Sequence, residues 1–276
     1  MQAPASSDRK PEVVVFSDLD GTLLDGHDYS FAAAAPARAL LRTRHIPLVP
    51  CTSKTRAEVE VLRRRLGNRH PFIVENGGAV YVPRGTFAFD FACQRQTAEY
   101  QVLELGTPYG DLVAELKQLR QRSGVALRGF SDMSVAEVAR HTGLGRADAA
   151  RAKEREFDEP FVLPEGADSE RVLAASERPI SRGDRFFHLT SSDKGRAVAA
   201  LLALYRQARP GLVSIGLGGA GNDRTLLAAV DVPILVESRD GGYDGAVALP
   251  ELRFAAGVGP EGWNAALLAQ LAKRGT

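Results

Sequence analysis

The chain predicts a doubly wound α/β fold, a parallel-sheet core interrupted by a smaller α+β insertion. Three observations carry this. Val13-Val14-Val15-Phe16 is an unbroken apolar run, the pattern of a strand buried on both faces. Short apolar runs alternate with helical stretches before about residue 84 and again after about residue 188, as parallel βαβ units require. Between them the texture changes to charged helices and isolated strands. Residues 1–83 and 188–276 are therefore expected to form one core, and residues 84–187 an inserted cap.

The elements follow in order. Phe31–Arg44 is rich in Ala, Leu and Arg and reads as a helix, and Ile46–Pro50 as a second strand. Arg56–Leu66 places Val59, Leu62 and Leu66 on one face of a helix. Phe72-Ile73-Val74 is a third strand, stopped by Glu75-Asn76-Gly77-Gly78, with Ala79–Val82 the return arm of a hairpin. In the insertion, helices are expected at Asp111–Ser123, from the capping box Ser134-Val135-Ala136-Glu137 to Gly143, at Arg146–Glu156 and at Ala167–Ser176. Strands are expected at Val125–Phe130, Phe161–Leu163 and Arg185–Leu189, and a turn at Arg182-Gly183-Asp184. The core then resumes: a helix from Asp193-Lys194-Gly195 to Leu204, a strand at Leu212–Leu217, a helix at Arg224–Ala229 and a last clear strand at Val232–Val236. Gly259-Pro260-Glu261-Gly262-Trp263 opens a C-terminal helix.

Bulk composition narrows the function. The 276 residues are 44% hydrophobic and 25% charged, ordinary for a globular protein. Thirty-five basic against 34 acidic residues leave a net charge of +1, which favours neither nucleic acid nor a membrane surface as partner. Met1–Pro11 is polar, no apolar stretch is long enough to span a bilayer, and two cysteines, Cys51 and Cys93, build no disulfide framework. A reducing, cytoplasmic setting is expected.

Chemistry is expected where the first strand ends. Ligands in open α/β sheets bind at the carboxyl ends of the strands, and there Asp18 and Asp20 stand two residues apart. Two carboxylates so close repel each other unless a cation lies between them. A hard divalent ion, Mg2+, satisfies them and suits a phosphate substrate. A carboxylate can also act as a nucleophile toward phosphorus. The alternative is a turn in which both aspartates cap the next helix.

Asp18-Leu19-Asp20-Gly21-Thr22 resembles the first motif of the haloacid dehalogenase (HAD) superfamily of phosphohydrolases. The resemblance implies a Rossmann-like core with an inserted cap. It makes Asp18 the nucleophile and a metal ligand, and Asp20 the general acid/base, whose backbone carbonyl also binds the metal. Thr52, or its neighbour Ser53, matches the second motif, a hydroxyl for a phosphoryl oxygen, with Lys54 beside it to hold another anionic group. An N-cap for the helix at Arg56 is the other reading of Thr52. Lys194 matches the third motif, a countercharge to nucleophile and phosphate. Gly218-Gly219-Ala220-Gly221-Asn222-Asp223 matches the fourth, which implies Asp223 as metal ligand with Asn222 in support. Gly219 stands where the superfamily carries an acid.

Two rival signatures weigh less. Gly216-Leu217-Gly218-Gly219-Ala220-Gly221, with Glu237 further on, satisfies a dinucleotide fingerprint but lies late in the chain. Cys51 and Arg56 have four intervening residues where a cysteine phosphatase loop needs five, so Cys51 reads as a small buried residue.

An insertion between the second and third motifs is similar to the sugar-phosphatase branch. Within it the chain resembles the mannosyl-3-phosphoglycerate phosphatase family through Cys51–Arg56, Glu75–Ala79, Gly129–Met133, Arg155–Phe161 and Gly259–Asn264. That resemblance implies Mg2+-dependent hydrolysis of a phosphorylated sugar-glycerate to the compatible solute mannosylglycerate. Arg155 and Arg182 are candidates for the substrate carboxylate, since guanidinium forks match it, or for surface ion pairs. Glu75 and Asn76 are candidates for sugar hydroxyls, or for a purely structural turn. A glucosyl-3-phosphoglycerate or broader sugar phosphatase is the alternative activity. A weakly active sugar-phosphate sensor is the alternative outside catalysis.

Overall fold

The computed structural model describes residues 12–183 and 186–274. The expectations for Met1–Pro11, for Asp184 in the turn after Gly183 and for Arg185 at the head of its strand lie outside the described residues.

The chain enters as β1 (Val13–Ser17), every residue of which is buried. Because side chains alternate along a strand, Val13 and Val15 enter the core on one face and Val14 and Phe16 that on the other. Then follow α1 (Ala35–Thr43), β2 (Leu48–Pro50), α2 (Arg56–Leu66), β3 (Phe72–Val74) and β4 (Ala79–Pro83). Helix α2 starts on a capping box in which the Thr55 hydroxyl accepts from Glu58 N and the Glu58 carboxylate accepts from Thr55 N. It stops at Gly67 in the left-handed conformation.

The middle of the chain contributes β5 (Arg95–Gln96), β6 (Tyr100–Glu104), α3 (Tyr109–Ser123), β7 (Arg128–Gly129), α4 (Val135–Thr142), α5 (Arg146–Ala152), β8 (Glu159–Val162), α6 (Ser169–Ala175), β9 (Ile180–Arg182) and β10 (Phe187–Leu189). The final part supplies α7 (Lys194–Ala208), β11 (Val213–Gly218), α8 (Arg224–Ala228), β12 (Val232–Glu237), β13 (Arg253–Val258) and α9 (Gly259–Lys273).

Five parallel strands form the central sheet in the order β13-β12-β11-β1-β2. Leu41 of α1, Val59 and Leu62 of α2 and Leu267 of α9 cover one face. Val198 and Leu201 of α7 and Leu226 of α8 cover the other. Each fully buried Val, Leu or Phe here stabilises the fold by about 1.5–3 kcal/mol before entropy is charged against it. Trp263 on α9 is fully buried and donates its indole N–H to Ser17 Oγ at 2.9 Å, and that hydroxyl donates to the Asp18 carbonyl at 2.6 Å.

Strand β3 meets the central sheet through a Cys51–Ile73 bridge and then turns into an antiparallel sheet, β3-β4-β6-β5. The expected division between residues 83 and 84 falls inside that sheet, between β4 and β5, and pairing to β4 continues to Glu104. A second antiparallel sheet, β7-β8-β10-β9, is backed by α3 and α6, and its β10 runs past the expected end of the insertion at residue 187 to Leu189.

Several expected elements are shorter. The strand over Val125–Phe130 contracts to Arg128–Gly129 because Asp132 takes the Gly129 N–H and turns Phe130–Asp132 into one 3-10 turn. The helix over Arg146–Glu156 ends at Ala152, where Arg155 Nε bonds the Ala152 carbonyl. Strand β12 is not the last: β13 adds the sheet edge, where Phe254 is exposed and Ala255 buried.

Candidate active site

Asp18 leaves the end of β1, Lys194 opens α7 and Asp223 follows β11, so the three meet at the carboxyl edge of the sheet. Lys194 Nζ donates to Asp18 Oδ1 and to Asp223 Oδ1, each at 2.6 Å, and is only 1% exposed. Lys194 and Asp223 are buried and Asp18 nearly so, which strengthens the interactions among them. Burial first, and the Asp223 charge second, push the Asp18 carboxyl up to about 7, with Lys194 pulling against both. Burial alone would lower the Lys194 pKa, but the two carboxylates outweigh it and hold the ammonium charged.

Asp223 is fixed from both sides. Its second oxygen, Oδ2, accepts the N–H groups of Gly219 at 2.8 Å and Ala220 at 3.1 Å. Gly218 is required for this packing: a Cβ there would stand 2.5 Å from Asp223 Cβ. The glycines after β11 therefore seat an aspartate, and the helix that follows, α8, is only five residues long. Nothing here is shaped as the expected fingerprint's rival reading required.

Asp20 is the exposed member of the first motif, its side chain 39% accessible and paired to Lys54 at 2.8 Å. Burial works against the Lys54 charge, yet Asp20 and then Glu58 outweigh it and raise the lysine's pKa. The Tyr29 ring lies 4.9 Å below the same ammonium. Thr52 is buried, and its hydroxyl accepts the Lys54 N–H at 3.2 Å. The N-cap of α2 is Thr55, so Thr52 does not have the capping role that was its other reading.

A cavity of about 420 Å3 opens over these groups. Asp18, Asp20, Ser53, Lys54, Gly219 and Asn222 line its floor, and Phe130, Leu144, Ala152, Arg155 and Phe186 from the insertion, with His188 on β10, line its roof. Arg155 donates to the Ser53 carbonyl at 2.8 Å and lies over the Phe130 ring, which fixes it at the cavity wall. Arg182 is not brought there: it sits exposed on the edge strand β9, over the ring of Phe187.

Glu75 and Asn76 take φ of 50° and 54°, a left-handed run completed by Gly77 at 93°. Such a run costs of order 1–3 kcal/mol per non-glycine residue, and what it places is clear. Glu75 is wholly buried outside the cavity lining, and its carboxylate accepts the N–H groups of Glu156 and Phe157 at 2.8–3.1 Å. Burial pushes its carboxyl up to about 7, against the pull of Arg155. Asn76 Nδ2 donates to Asp158 Oδ2 at 3.2 Å, and its carbonyl oxygen faces Asn222 Nδ2 at 3.5 Å. The turn thus ties the insertion to the core instead of presenting Glu75 to a ligand.

Sequence reasoning missed the pair of Asp158 and His188. Asp158 is fully buried, and its Oδ2 contacts His188 Nδ1 at 2.7 Å. The ring lines the cavity, and Gly183 leaves room above Nε2, where a Cβ would stand at 3.1 Å. Asp158 was legible only as part of Arg155–Phe161, and His188 carried no signal beyond an apolar strand.

The donor set suits one cation chemistry. Among the described residues, no three His, Cys, Asp or Glu side chains are grouped to hold a metal unaided. Mg2+ is held by one or two carboxylates together with water and substrate phosphate, and the Asp18 strand end can provide that much.

No family model matches the chain. It is 41% identical over 265 residues to a glucosyl-3-phosphoglycerate/mannosyl-3-phosphoglycerate phosphatase of Methanococcoides burtonii, covering 94% of this chain and 97% of that one. The chain belongs to this phosphatase family. It is a phosphoric monoester hydrolase, and its fold is the HAD one that the first motif led one to expect. A mannosyl-3-phosphoglycerate phosphatase of Pyrococcus furiosus is 34% identical, over 81% of this chain and 90% of its own length. Among solved structures, a HAD subclass IIB sugar phosphatase superposes with a TM-score of 0.64 at 14% identity, over 95% of this chain and 98% of that one. A Thermoplasma acidophilum protein superposes at 0.65 with 16% identity, over 95% and 96%. At such identities these two show the fold, a HAD core with a cap. No helix among the described residues is long and apolar enough to cross a membrane.

Proposed function

We propose that the protein hydrolyses mannosyl-3-phosphoglycerate and glucosyl-3-phosphoglycerate, releasing inorganic phosphate and the glycosylglycerate. The observation that carries the reading is the buried Asp18–Lys194–Asp223 cluster, which meets a roofed cavity through Asp18, in a chain matched over 94% of its length by a phosphatase named for both substrates. Asp18 attacks phosphorus, its new O–P bond forming as the bond from phosphorus to the glycerate oxygen breaks. Asp20 gives a proton to the departing alkoxide. Its carboxylate then takes a proton from the water that cleaves the aspartyl-phosphate, which restores Asp18. Lys194 balances charge on the nucleophile and on the phosphoryl group. Thr52 and Ser53 offer hydroxyls to phosphoryl oxygens. Lys54, now paired with Asp20, turns to a substrate anion and frees Asp20 to act as the acid.

Mg2+ would be held by Asp18, the Asp20 carbonyl and Asn222, and it would neutralise phosphate charge; Asp223, expected as a ligand, instead has its oxygens engaged by Lys194 and by the Gly219 and Ala220 N–H groups. Arg155 at the wall takes the glycerate carboxylate. Phe130, Leu144 and Phe186 form an apolar surface for a sugar ring, and Asn222 and His188 reach its hydroxyls. The part of the chain from about residue 106 to 190 acts as the cap that selects the substrate.

Phosphate release from mannosyl- and glucosyl-3-phosphoglycerate and from simple hexose phosphates, with Mg2+ and with chelator, tests this. Both glycosylated phosphoglycerates are expected to be turned over well above the hexose phosphates. Asp18→Asn is expected to lower kcat by at least about a thousandfold, as loss of a covalent nucleophile does. An Asp18→Asn enzyme with undiminished turnover rules out the aspartyl-phosphate route.

A further inference from the structure

The charges at the strand ends are nearly balanced before any substrate arrives. Lys194 is bonded to both Asp18 and Asp223, and Lys54 to Asp20. With Glu58, Asp240, Arg155 and Arg239 also lining the cavity, five carboxylates against four cationic groups leave one net negative charge. Asp223 is further committed, since its other oxygen holds two backbone N–H groups. Beside this cluster, Gly219 lines the cavity with no side chain at all. Its backbone is outside the left-handed region, so any residue is conformationally admissible there. A Cβ on Gly219 would stand 3.1 Å from Thr22 Oγ1 and 3.5 Å from the Gly21 carbonyl. That Thr22 hydroxyl is buried and has no hydrogen-bond partner among the described residues. A side chain there would make Thr22 give by a few tenths of an ångström, and it would stand beside an unmatched polar atom at a position where a further acid enlarges the negative charge.

From this we propose that the chain holds its divalent cation only together with a phosphoryl group, Gly219 being the residue that keeps the free site weak. The inference rests on the phosphatase reading and adds an order of events to it. A cation that sheds water reluctantly gains little from one net negative charge. A phosphate dianion, drawn in by Lys54 and Lys194, supplies both the missing charge and the missing oxygen ligands. Cation and phosphate then raise each other's affinity by the same factor.

Calorimetric titration of the full-length protein with Mg2+, with and without saturating inorganic phosphate, tests this, beside Gly219→Asp and Gly219→Ala. Phosphate is expected to tighten Mg2+ binding to the wild type by at least about tenfold, and Mg2+ to tighten phosphate binding equally. Gly219→Asp is expected to bind Mg2+ without phosphate at least about tenfold more tightly than wild type, while Gly219→Ala, the steric control, matches wild type. Wild type binding Mg2+ as tightly alone as with phosphate overturns the proposal, whether or not Gly219→Asp folds. So does a folded Gly219→Asp that binds no better than Gly219→Ala. If that happens while the enzyme still releases phosphate from glycosylated phosphoglycerates, the ordered binding is wrong and the phosphatase reading stands. Failure of inorganic phosphate to bind under either condition, with no phosphate release, removes both.

Discussion

Replacing Lys194 by alanine removes the only charge between two buried carboxylates that now lie 2.6 Å from it. Truncating one partner of a buried ion pair leaves an uncompensated charge and costs about 3–5 kcal/mol. In a chain of this size each kcal/mol lowers Tm by about 2–4 °C, so Lys194→Ala is expected to melt on the order of 10 °C below wild type. The chemistry suffers separately. With Lys194 present the Asp18 carboxyl is held at about 7 against burial and Asp223. Without it, Asp18 binds its proton more firmly, its ionised form becomes scarce at neutral pH, and the acidic limb of the rate profile is expected to move alkaline. Loss of the countercharge adds a further roughly 100-fold or more in kcat. Calorimetric melting together with kcat measured from pH 5 to 9 reads both effects. Adding Asp223→Asn to Lys194→Ala relieves the repulsion and is expected to restore part of the lost stability. A Lys194→Ala protein within 1 kcal/mol of wild type, with its acidic limb unmoved, would refute the reasoning.

Glu75 predicts a pH-dependent stability. Its carboxyl lies at about 7 folded against an ordinary 4.5, so between those values the folded chain holds more protons and stability falls as pH rises. At about 1.4 kcal/mol per pH unit, Glu75→Gln should gain about 3 kcal/mol on wild type when urea unfolding at pH 8 is compared with pH 4. An equal difference at both pH values would show that the buried carboxylate is not the titrating group. His188→Asn keeps a donor for Asp158 while deleting the ring nitrogen that faces the cavity. It is expected to raise KM about tenfold for the glycosylated phosphoglycerates with kcat within about threefold, the mark of lost uniform binding. A fall in kcat at unchanged KM would instead place His188 in the chemical step.

Much of this arrangement was legible in the residues, for reasons that differ by element. Val13–Phe16 announced itself because a strand buried on both faces has no polar positions to confuse the pattern. The Arg56–Leu66 helix was legible through the face shared by Val59, Leu62 and Leu66, whereas its cap was misplaced: the role offered to Thr52 belongs to Thr55. Lys194 could be picked from among surface lysines only by its place in the order of motifs, and the structure puts it in direct contact with Asp18. Edge strands were harder to read. In β13 only Ala255 is buried, and β5 spans two residues, so neither carries an apolar period. The roles of Glu75 and His188 depend on partners 81 and 30 residues away, a distance over which no local pattern speaks.

The indole of Trp263 gives the molecule an optical property. It is the sole tryptophan of the chain, and it is sealed beneath the sheet with its N–H on Ser17, the residue before Asp18. Its emission therefore reports the dryness of the first strand's surroundings and nothing of the roof, whose aromatic groups are phenylalanine and tyrosine. Fluorescence and far-ultraviolet circular dichroism consequently watch different parts of the same chain. Where the two traces separate on heating, the gap between them is the loosening of the roof over a floor that is still intact.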